Sequence, residues 1–430
     1  MDEPRPNILL LHTHDTGRMI GPYGAPVATP HLDRFAQEGV LFRNAFSAAP
    51  TCSPSRAALL TGQSSHEAGM TGLAHRGFSL HDPSQHLVHT LHEHGYTSAV
   101  VGISHVAAPA AEEGRLLGYH EQLEPADPRA AAVTEAAVGY LRRPRSDPFF
   151  LSVGFLETHT MGDGPHLFGY PPLDARYVAP PATLPDTPAT RTDTAGLLAA
   201  VQVVDRAVGT VLAALEEAGL AEDTLVIITT DHGVALPGMK CTLSDRGTGV
   251  MLMVRGPGDL SGGRVCDVMV SQLDIFPTLC EVLDIAPPPW LQGRSLLPAV
   301  RDGVELHDAI FSEVSYHAAY EPQRAVRTPR WKYVRRYGEP RGPVLPNVDD
   351  SASKDVWVAA GWAEQERPAE ELYDLVLDPT EGRDLAASTE HQALRASLEE
   401  RLLDWMRRTH DPLLEGRVPA PAGAQVDSAG

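Results

Sequence analysis

The sequence predicts an α/β fold: a large, mainly parallel sheet sandwiched by helices, followed by a small C-terminal antiparallel α+β subdomain. Three observations carry this. Short runs such as Asn7-Ile8-Leu9-Leu10-Leu11, Ser98 to Ile103, Phe149 to Phe155, Leu225 to Thr230 and Val250 to Val254 are continuously apolar. Continuous rather than alternating hydrophobicity suits parallel strands covered on both faces. Helical periodicity lies between the runs, and the chain changes character beyond about residue 305.

The first strand opens almost at the N-terminus. Thr29-Pro30 then offers an N-cap and a first helical position for a helix through Glu38. Leu197, Val201, Val204, Val208, Val211 and Leu215 step by three and four, which makes one helix face. Pro287-Pro288-Pro289 begins a break in the alternation. After it, Ala325 to Val334 reads as a hairpin, Glu371 to Leu375 as a strand before a turn at Asp378-Pro379, and the segment with Leu402 and Trp405 as a final helix. The expected division is 1–304 catalytic, 305–417 antiparallel subdomain and 418–430 a mobile Pro/Ala/Gly-rich tail.

Composition narrows the function. The chain has 430 residues and a formal net charge of −21, from 35 basic and 56 acidic residues. That argues against nucleic acid and anionic membrane surfaces as partners. An anionic substrate would need local cations to override the global field. Cys52, Cys241, Cys266 and Cys280 form neither a zinc-knuckle spacing nor a disulfide framework. Met1 to Pro6 lacks a basic and apolar leader pattern, and no run reaches the ~20 apolar residues of a membrane span. The expected setting is cytoplasmic and reducing. The oligomeric state is not legible.

The chemistry gathers at predicted strand ends, where ligands sit in such sheets. Cys52-Ser53-Pro54-Ser55-Arg56 precedes a predicted helix, Ser55 to Leu60, whose N-terminus favours an anion. Arg56 adds a planar donor fork suited to sulfate or phosphate oxygens. His12-Thr13-His14-Asp15 closes the first strand, with His12 on the same face as His14. On ligand chemistry alone, His14 either joins Asp15 in binding a metal or only hydrogen-bonds nearby. Asp231-His232-Gly233 follows the strand Leu225 to Thr230. His159 follows the strand Phe149 to Phe155, and Ser104-His105 follows Ser98 to Ile103. His86, His89 and His92 recur every three residues; with no carboxylate or cysteine to complete a set, they read as a solvated helix face.

The motif Cys52-x-Pro54-x-Arg56, continued by Ala57-Ala58-Leu59-Leu60-Thr61-Gly62, resembles the signature of the type I sulfatases, within the alkaline phosphatase-like superfamily. Asp15, Asp231-His232-Gly233 and Lys240-x-x-Leu243-x-Asp245-x-Gly247 fit the same family, and the resemblance covers most of the chain. It implies that Cys52 is oxidised to formylglycine by a formylglycine-generating enzyme, and that the aldehyde hydrate is the nucleophile. It implies a divalent metal held by His14, Asp15, Cys52, Asp231 and His232, Ca2+ by family, with Mn2+ or Zn2+ suited to the histidines. Cys52, Arg56, His105, His159 and Lys240 become the expected catalytic residues, acting on a small sulfated sugar or aryl substrate. Cys52 to Leu73 and Thr409-His410-Asp411-Pro412 resemble the N-sulfoglucosamine sulfohydrolases in particular.

Two positions depart from the family. His14 stands where an aspartate is usual, and Ile103 where a sulfate-binding lysine is usual. Arg76 is a candidate substitute cation. The expected function is hydrolysis of a sulfate ester or sulfamate. Two alternatives stay open: a phosphonate or phosphodiester hydrolase with the same nucleophile, and a non-catalytic metal- or anion-binding relative.

Overall fold

A computed structural model describes residues 5–161, 166–338 and 342–429. Met1 to Pro4, read above as part of a leaderless N-terminus, and Gly430 of the tail lie outside the described residues. The strands of the large sheet are β1 (Asn7–Thr13), β2 (Val40–Phe46), β3 (Thr97–Gly102), β4 (Glu121–Leu123), β5 (Phe149–Gly154), β6 (Thr224–Thr230), β7 (Leu252–Arg255) and β8 (Arg264–Ser271). Their order is β4-β3-β5-β1-β6-β7-β2-β8. The α/β expectation is met: β4, β3, β5, β1 and β6 run parallel, with β1 central and paired to β5 and β6.

One strand departs from the parallel reading. β7, in the run Val250 to Val254, pairs antiparallel with both β6 and β2. The connection from β6 to β7 holds one short helix, Asp245–Thr248, and turns the chain back instead of crossing over. β8 carries exposed Arg264, Val265 and Asp267, as suits an edge strand, and so lacks a continuous apolar run.

The helix Pro188–Glu217 covers one face of the sheet. Pro188 occupies its first turn, and Thr187 and Thr190 form a reciprocal capping box. The predicted stripe of Leu197, Val201, Val204, Val208, Val211 and Leu215 is fully buried. Contrary to expectation, this helix is long and apolar enough by composition to cross a membrane. Its apolar face is packed on β-strand side chains such as Leu9, Leu11, Val226 and Ile228.

The second sheet is β12-β11-β10-β9, with β9 Ile310–Tyr316, β10 Tyr320–Arg327, β11 Trp331–Arg336 and β12 Glu370–Asp374. All its pairings are antiparallel, and the predicted hairpin is β10–β11. Helix Gln392–Arg408 packs on this sheet through Leu398, Leu402 and Met406.

A buried charge cluster ties this sheet to the catalytic part. Arg324 on β10 donates to Asp411 Oδ2 at 2.6 Å and Oδ1 at 3.0 Å, and lies 3.3 Å from Glu313 on β9. His66, from the turn after the Cys52 helix, sits 2.9 Å from Glu313 and 3.0 Å from the Thr409 carbonyl. The tail expected to be mobile is docked. The Val418 carbonyl accepts from Tyr316 at 2.6 Å, and Asp427 pairs with Arg76 at 3.0 Å. Its Pro/Ala/Gly composition hides these two anchors.

The histidine series is likewise no solvated face. His86 is buried and caps helix Leu87–Glu93 through Val88 N–H, while His92 bonds Ser98 at 2.7 Å and packs on His120. No metal-ligating cluster among the described residues includes these three.

Burial by itself would raise the Glu313 pKa, but the charges of His66 and Arg324 outweigh it and hold it at about 2. A depressed folded-state carboxylate stabilises above its unfolded pKa and loses that contribution as pH falls through the folded value. The folded protein should therefore lose stability between about pH 4.5 and 2, and Glu313→Gln should flatten that loss in denaturant titrations. Arg324→Met, which strands two buried carboxylates, should cost about 3–5 kcal/mol at neutral pH.

Candidate active site

Four adjacent parallel strands deliver the site in spatial order. β3 leads to His105, β5 to His159, β1 to His14 and Asp15, and β6 to Asp231 and His232. The close approach of these strand ends needs glycine. A Cβ at Gly154 would lie 1.9 Å from the Ile103 carbonyl oxygen, and one at Gly233 would lie 1.8 Å from that of Arg246. Thr158 fixes the β1 turn by donating to the carbonyls of His14 at 3.1 Å and Asp15 at 3.2 Å. Gln272 holds the end of β6 through the Thr230 carbonyl at 2.6 Å.

The Cys52 helix spans Cys52–Thr61, so Cys52 is its first residue rather than lying before it. Among the described residues no side chain caps its N-terminus. Its leading N–H groups thus remain available to an anion. Ser55 anchors the helix by donating to the Asp231 carbonyl at 2.6 Å. Arg56, buried, donates to Asp231 Oδ2 from Nε and Nη2 at 3.2 and 2.9 Å, and to the Thr13 carbonyl at 3.0 Å. His12 lies beneath, 2.6 Å from Arg56 Nη1 and 3.1 Å from Ser152 Oγ. Burial and then Arg56 push the His12 pKa well down, so its ring is a neutral support for the guanidinium.

Asp15 is the hub. It is buried and left-handed at φ 55°, and its backbone N–H donates to Asp231 Oδ1 at 2.8 Å. Its carboxylate meets His14 Nδ1 at 2.9 Å, Lys240 Nζ at 2.9 Å and His232 Nε2 at 3.3 Å. His159 Nε2 stands 3.9 Å away. Burial favours a neutral Asp15, yet Lys240 and the surrounding histidines hold its pKa well below the usual range. Burial lowers the His14 pKa to about 4 against the pull of Asp15 and Asp231, so His14 is a neutral imidazole near pH 7.

Donor atoms of His14, Asp15, Cys52 and Asp231 all lie within 4.8 Å of one another. His232 adds a buried Nε2 with no hydrogen-bond partner among the described residues. Two carboxylates, a neutral imidazole and this orphaned nitrogen fit a divalent cation. All five expected metal residues are thus brought together.

The catalytic set converges too. His105, left-handed at φ 61°, places a ring nitrogen within 4.8 Å of both His14 and the Cys52 sulfur. Its Nε2 is 2.8 Å from His75 Nδ1, and its Nδ1 is buried without a partner among the described residues. Burial raises the Cys52 thiol pKa well above its ordinary value despite Lys240 and Arg56. An unmodified Cys52 is therefore a protonated, poorly nucleophilic thiol.

Arg76 does not replace the missing lysine at 103. Its guanidinium is occupied by both Asp427 oxygens, at 3.0 and 3.1 Å. Three residues beside the site escaped sequence reasoning: His75, His317 and Asp349. Asp349 holds Lys240 at 3.0 Å, as a second carboxylate partner beside Asp15. It comes from a loop of the C-terminal part, where no local pattern marks it.

A family model described as Sulfatase matches residues 6–285, and one described as N-sulphoglucosamine sulphohydrolase, C-terminal, matches 240–346. The chain belongs to the sulfatase family. Human N-sulphoglucosamine sulphohydrolase is 31% identical over 94% of this chain and 91% of its own length. A Delta 4,5-hexuronate-2-O-sulfatase of Bacteroides thetaiotaomicron is 26% identical over 97% of this sulfatase and 92% of its own chain. A crystal structure described as a putative sulfatase from Bacteroides thetaiotaomicron shares the fold at TM-score 0.74, with 23% identity over 99% of each chain. A structure holding its substrate D-glucosamine-2-N,6-O-disulfate aligns at TM-score 0.72, with 17% identity over 95% of this sulfatase and 99% of that chain.

If the five-residue cluster holds a divalent cation, saturating metal should raise the melting temperature of the chelator-treated protein. At about 100 times Kd the stabilisation is about 2.7 kcal/mol. Asp231→Asn should abolish the rise, and comparing Ca2+, Mn2+ and Zn2+ in the same scan identifies the preferred ion.

Proposed function

We propose that this protein hydrolyses a sulfamate or sulfate ester on a sugar, with N-sulfoglucosamine-type groups as the first substrate to test. The observation that carries this reading is the position of Cys52. It stands at the N-terminus of a helix with its sulfur within 4.8 Å of donor atoms of His14, Asp15 and Asp231, and those two carboxylates pair with Lys240 and Arg56. The sulfamate emphasis rests on the human relative and on the C-terminal family model.

A buried thiol of raised pKa does not supply the nucleophile. We infer that Cys52 is converted to formylglycine by a generating enzyme, which gives the hydrate a hydroxyl aimed at sulfur. His14, Asp15, Asp231 and His232 would hold a divalent cation beside residue 52, where it would lower a hydroxyl pKa and polarise the sulfuryl oxygens. Lys240 binds the sulfuryl oxygens and offsets developing charge, while Arg56, whose N–H groups are engaged by Asp231, Thr13, His12 and Ile103, contributes its positive field from behind residue 52. Arg56 is held rigid by Asp231, Thr13 and His12, so it need not reorganise as charge develops.

His105 is neutral because burial, then His14 and Arg56, depress its pKa, which makes it a proton acceptor beside residue 52. Lys240 stays protonated: burial disfavours its charge, but Asp15 and Asp349 more than compensate. Lys240 and His159 flank Asp15 and are placed to hand a proton to the leaving atom. Binding of the anion depends on these local cations in a strongly acidic chain.

The purified protein from a host with a formylglycine-generating enzyme should release sulfate from N-sulfoglucosamine and from 4-nitrophenyl sulfate. Cys52→Ala should remove release from both. Lys240→Ala should cut kcat by about 100- to 1,000-fold, the usual cost of losing a charge-stabilising donor. Turnover of phenylphosphonate esters with no release from any sulfated compound would contradict this reading.

A further inference from the structure

We propose that Asp349 is a specificity residue that receives the amine end of the leaving group. The proposal rests on the sulfuric hydrolase reading above and adds which leaving group the site prefers.

Asp349 reaches the site from the loop before helix Ala352–Ala359. Donor atoms of Asp349, His159 and Asp15 lie within 4.8 Å of one another, with Lys240 Nζ 3.0 Å from Asp349 Oδ2. Asp349 thus stands beside both groups placed to protonate the leaving atom. Its side chain is 19% exposed, whereas Lys240 is 3% and Asp15 is 0% exposed. Of these three, Asp349 is the most exposed to an incoming sugar.

The loop is pinned. Asn347 accepts from Ala319 N–H at 2.8 Å and donates to Glu321 at 2.9 Å. Lys354 Nζ donates to the Val348 carbonyl at 2.8 Å, and Ser351 caps the following helix. Behind the pair lies His317, 7% exposed, with Nδ1 lacking a partner among the described residues. Burial and Lys240 push its pKa down to about 3, so it supplies a polar wall without neutralising Asp349.

The chemistry distinguishes two leaving groups. When a sulfate ester is cleaved, the S–O bond electrons go to oxygen, one proton arrives, and a neutral alcohol leaves. When a sulfamate is cleaved, an S–O bond to the nucleophile forms as the S–N bond electrons go to nitrogen. One proton from Lys240 or His159 completes the amine, and a second, from water, makes it an ammonium. Only the sulfamate product carries a cation. Among the charged side chains of the centre, Asp15, Asp231 and Asp349 face Arg56 and Lys240, three carboxylates against two cations. Asp349 shares Lys240 with Asp15, and as the more exposed of the two it is the carboxylate with an edge open toward the leaving group.

The test compares glucosamine and glucose, which differ at carbon 2 by an ammonium against a hydroxyl, in NMR binding titrations at pH 6.5. The wild-type protein should bind glucosamine at least ~10-fold more tightly than glucose, a discrimination of about 1.4 kcal/mol. Asp349→Asn, which keeps shape and loses charge, should erase the ratio, and Asp349→Glu should restore part of it. Unchanged melting temperature and one-dimensional spectra establish that the variants fold. Equal binding of the two sugars by wild type, or a ratio that survives in Asp349→Asn, would overturn the proposal. Because binding needs no turnover, failure to release sulfate would sink the hydrolase reading separately from this one.

Discussion

An alternating chain of buried charges organises this molecule: Arg56 against Asp231, Asp15 against Lys240, and Lys240 against Asp349. Each of these charges would be costly to bury alone. Together they are held within about one hydrogen bond of one another by backbone that cannot relax. The Asp15 N–H binds Asp231, the Ser55 hydroxyl binds the Asp231 carbonyl, and Arg56 binds the Thr13 carbonyl. The parallel strands β1 and β6 lie side by side, which puts the ends that carry Asp15 and Asp231 next to each other. In a chain of net charge −21, Arg56 and Lys240 are fixed at one point beside the carboxylates Asp15, Asp231 and Asp349.

The C-terminal sheet completes the site as well as the fold. The His66–Glu313–Arg324–Asp411 cluster locks it against the turn that follows the Cys52 helix. The docked tail adds a second tie through Arg76 and Asp427. With the sheet fixed, the loop that carries Asp349 arrives at Lys240 in a set position. Moving the seam would therefore move Lys240's second partner.

How legible this was depends on where each residue sits. Buried strands announce themselves: β1, β3, β5 and β6 are continuous apolar runs because both faces are covered. His14, Asp15, Asp231, His105 and His159 were readable because they follow those runs directly. β8 was not readable, since an edge strand with Arg264 and Asp267 facing solvent has no such run. β7 was found, but its direction was not, because strand direction depends on the connection and not on composition. Asp349 and His317 were out of reach for a different reason. They enter the site from loops whose local sequence serves turns and caps, and only the packing of one sheet on the other makes them neighbours of Lys240. The tail failed in the opposite sense, since its bland composition concealed Val418 and Asp427 as anchors.

The central claim is that Cys52 acts as a modified side chain and not as a thiol, and peptide mass analysis around residue 52 tests it most directly. In protein purified from its native host, the account predicts a Cys52 peptide lighter than the thiol form by about 18 Da, the change on converting the thiol to the aldehyde nucleophile. An intact thiol in protein that nonetheless releases sulfate would contradict it.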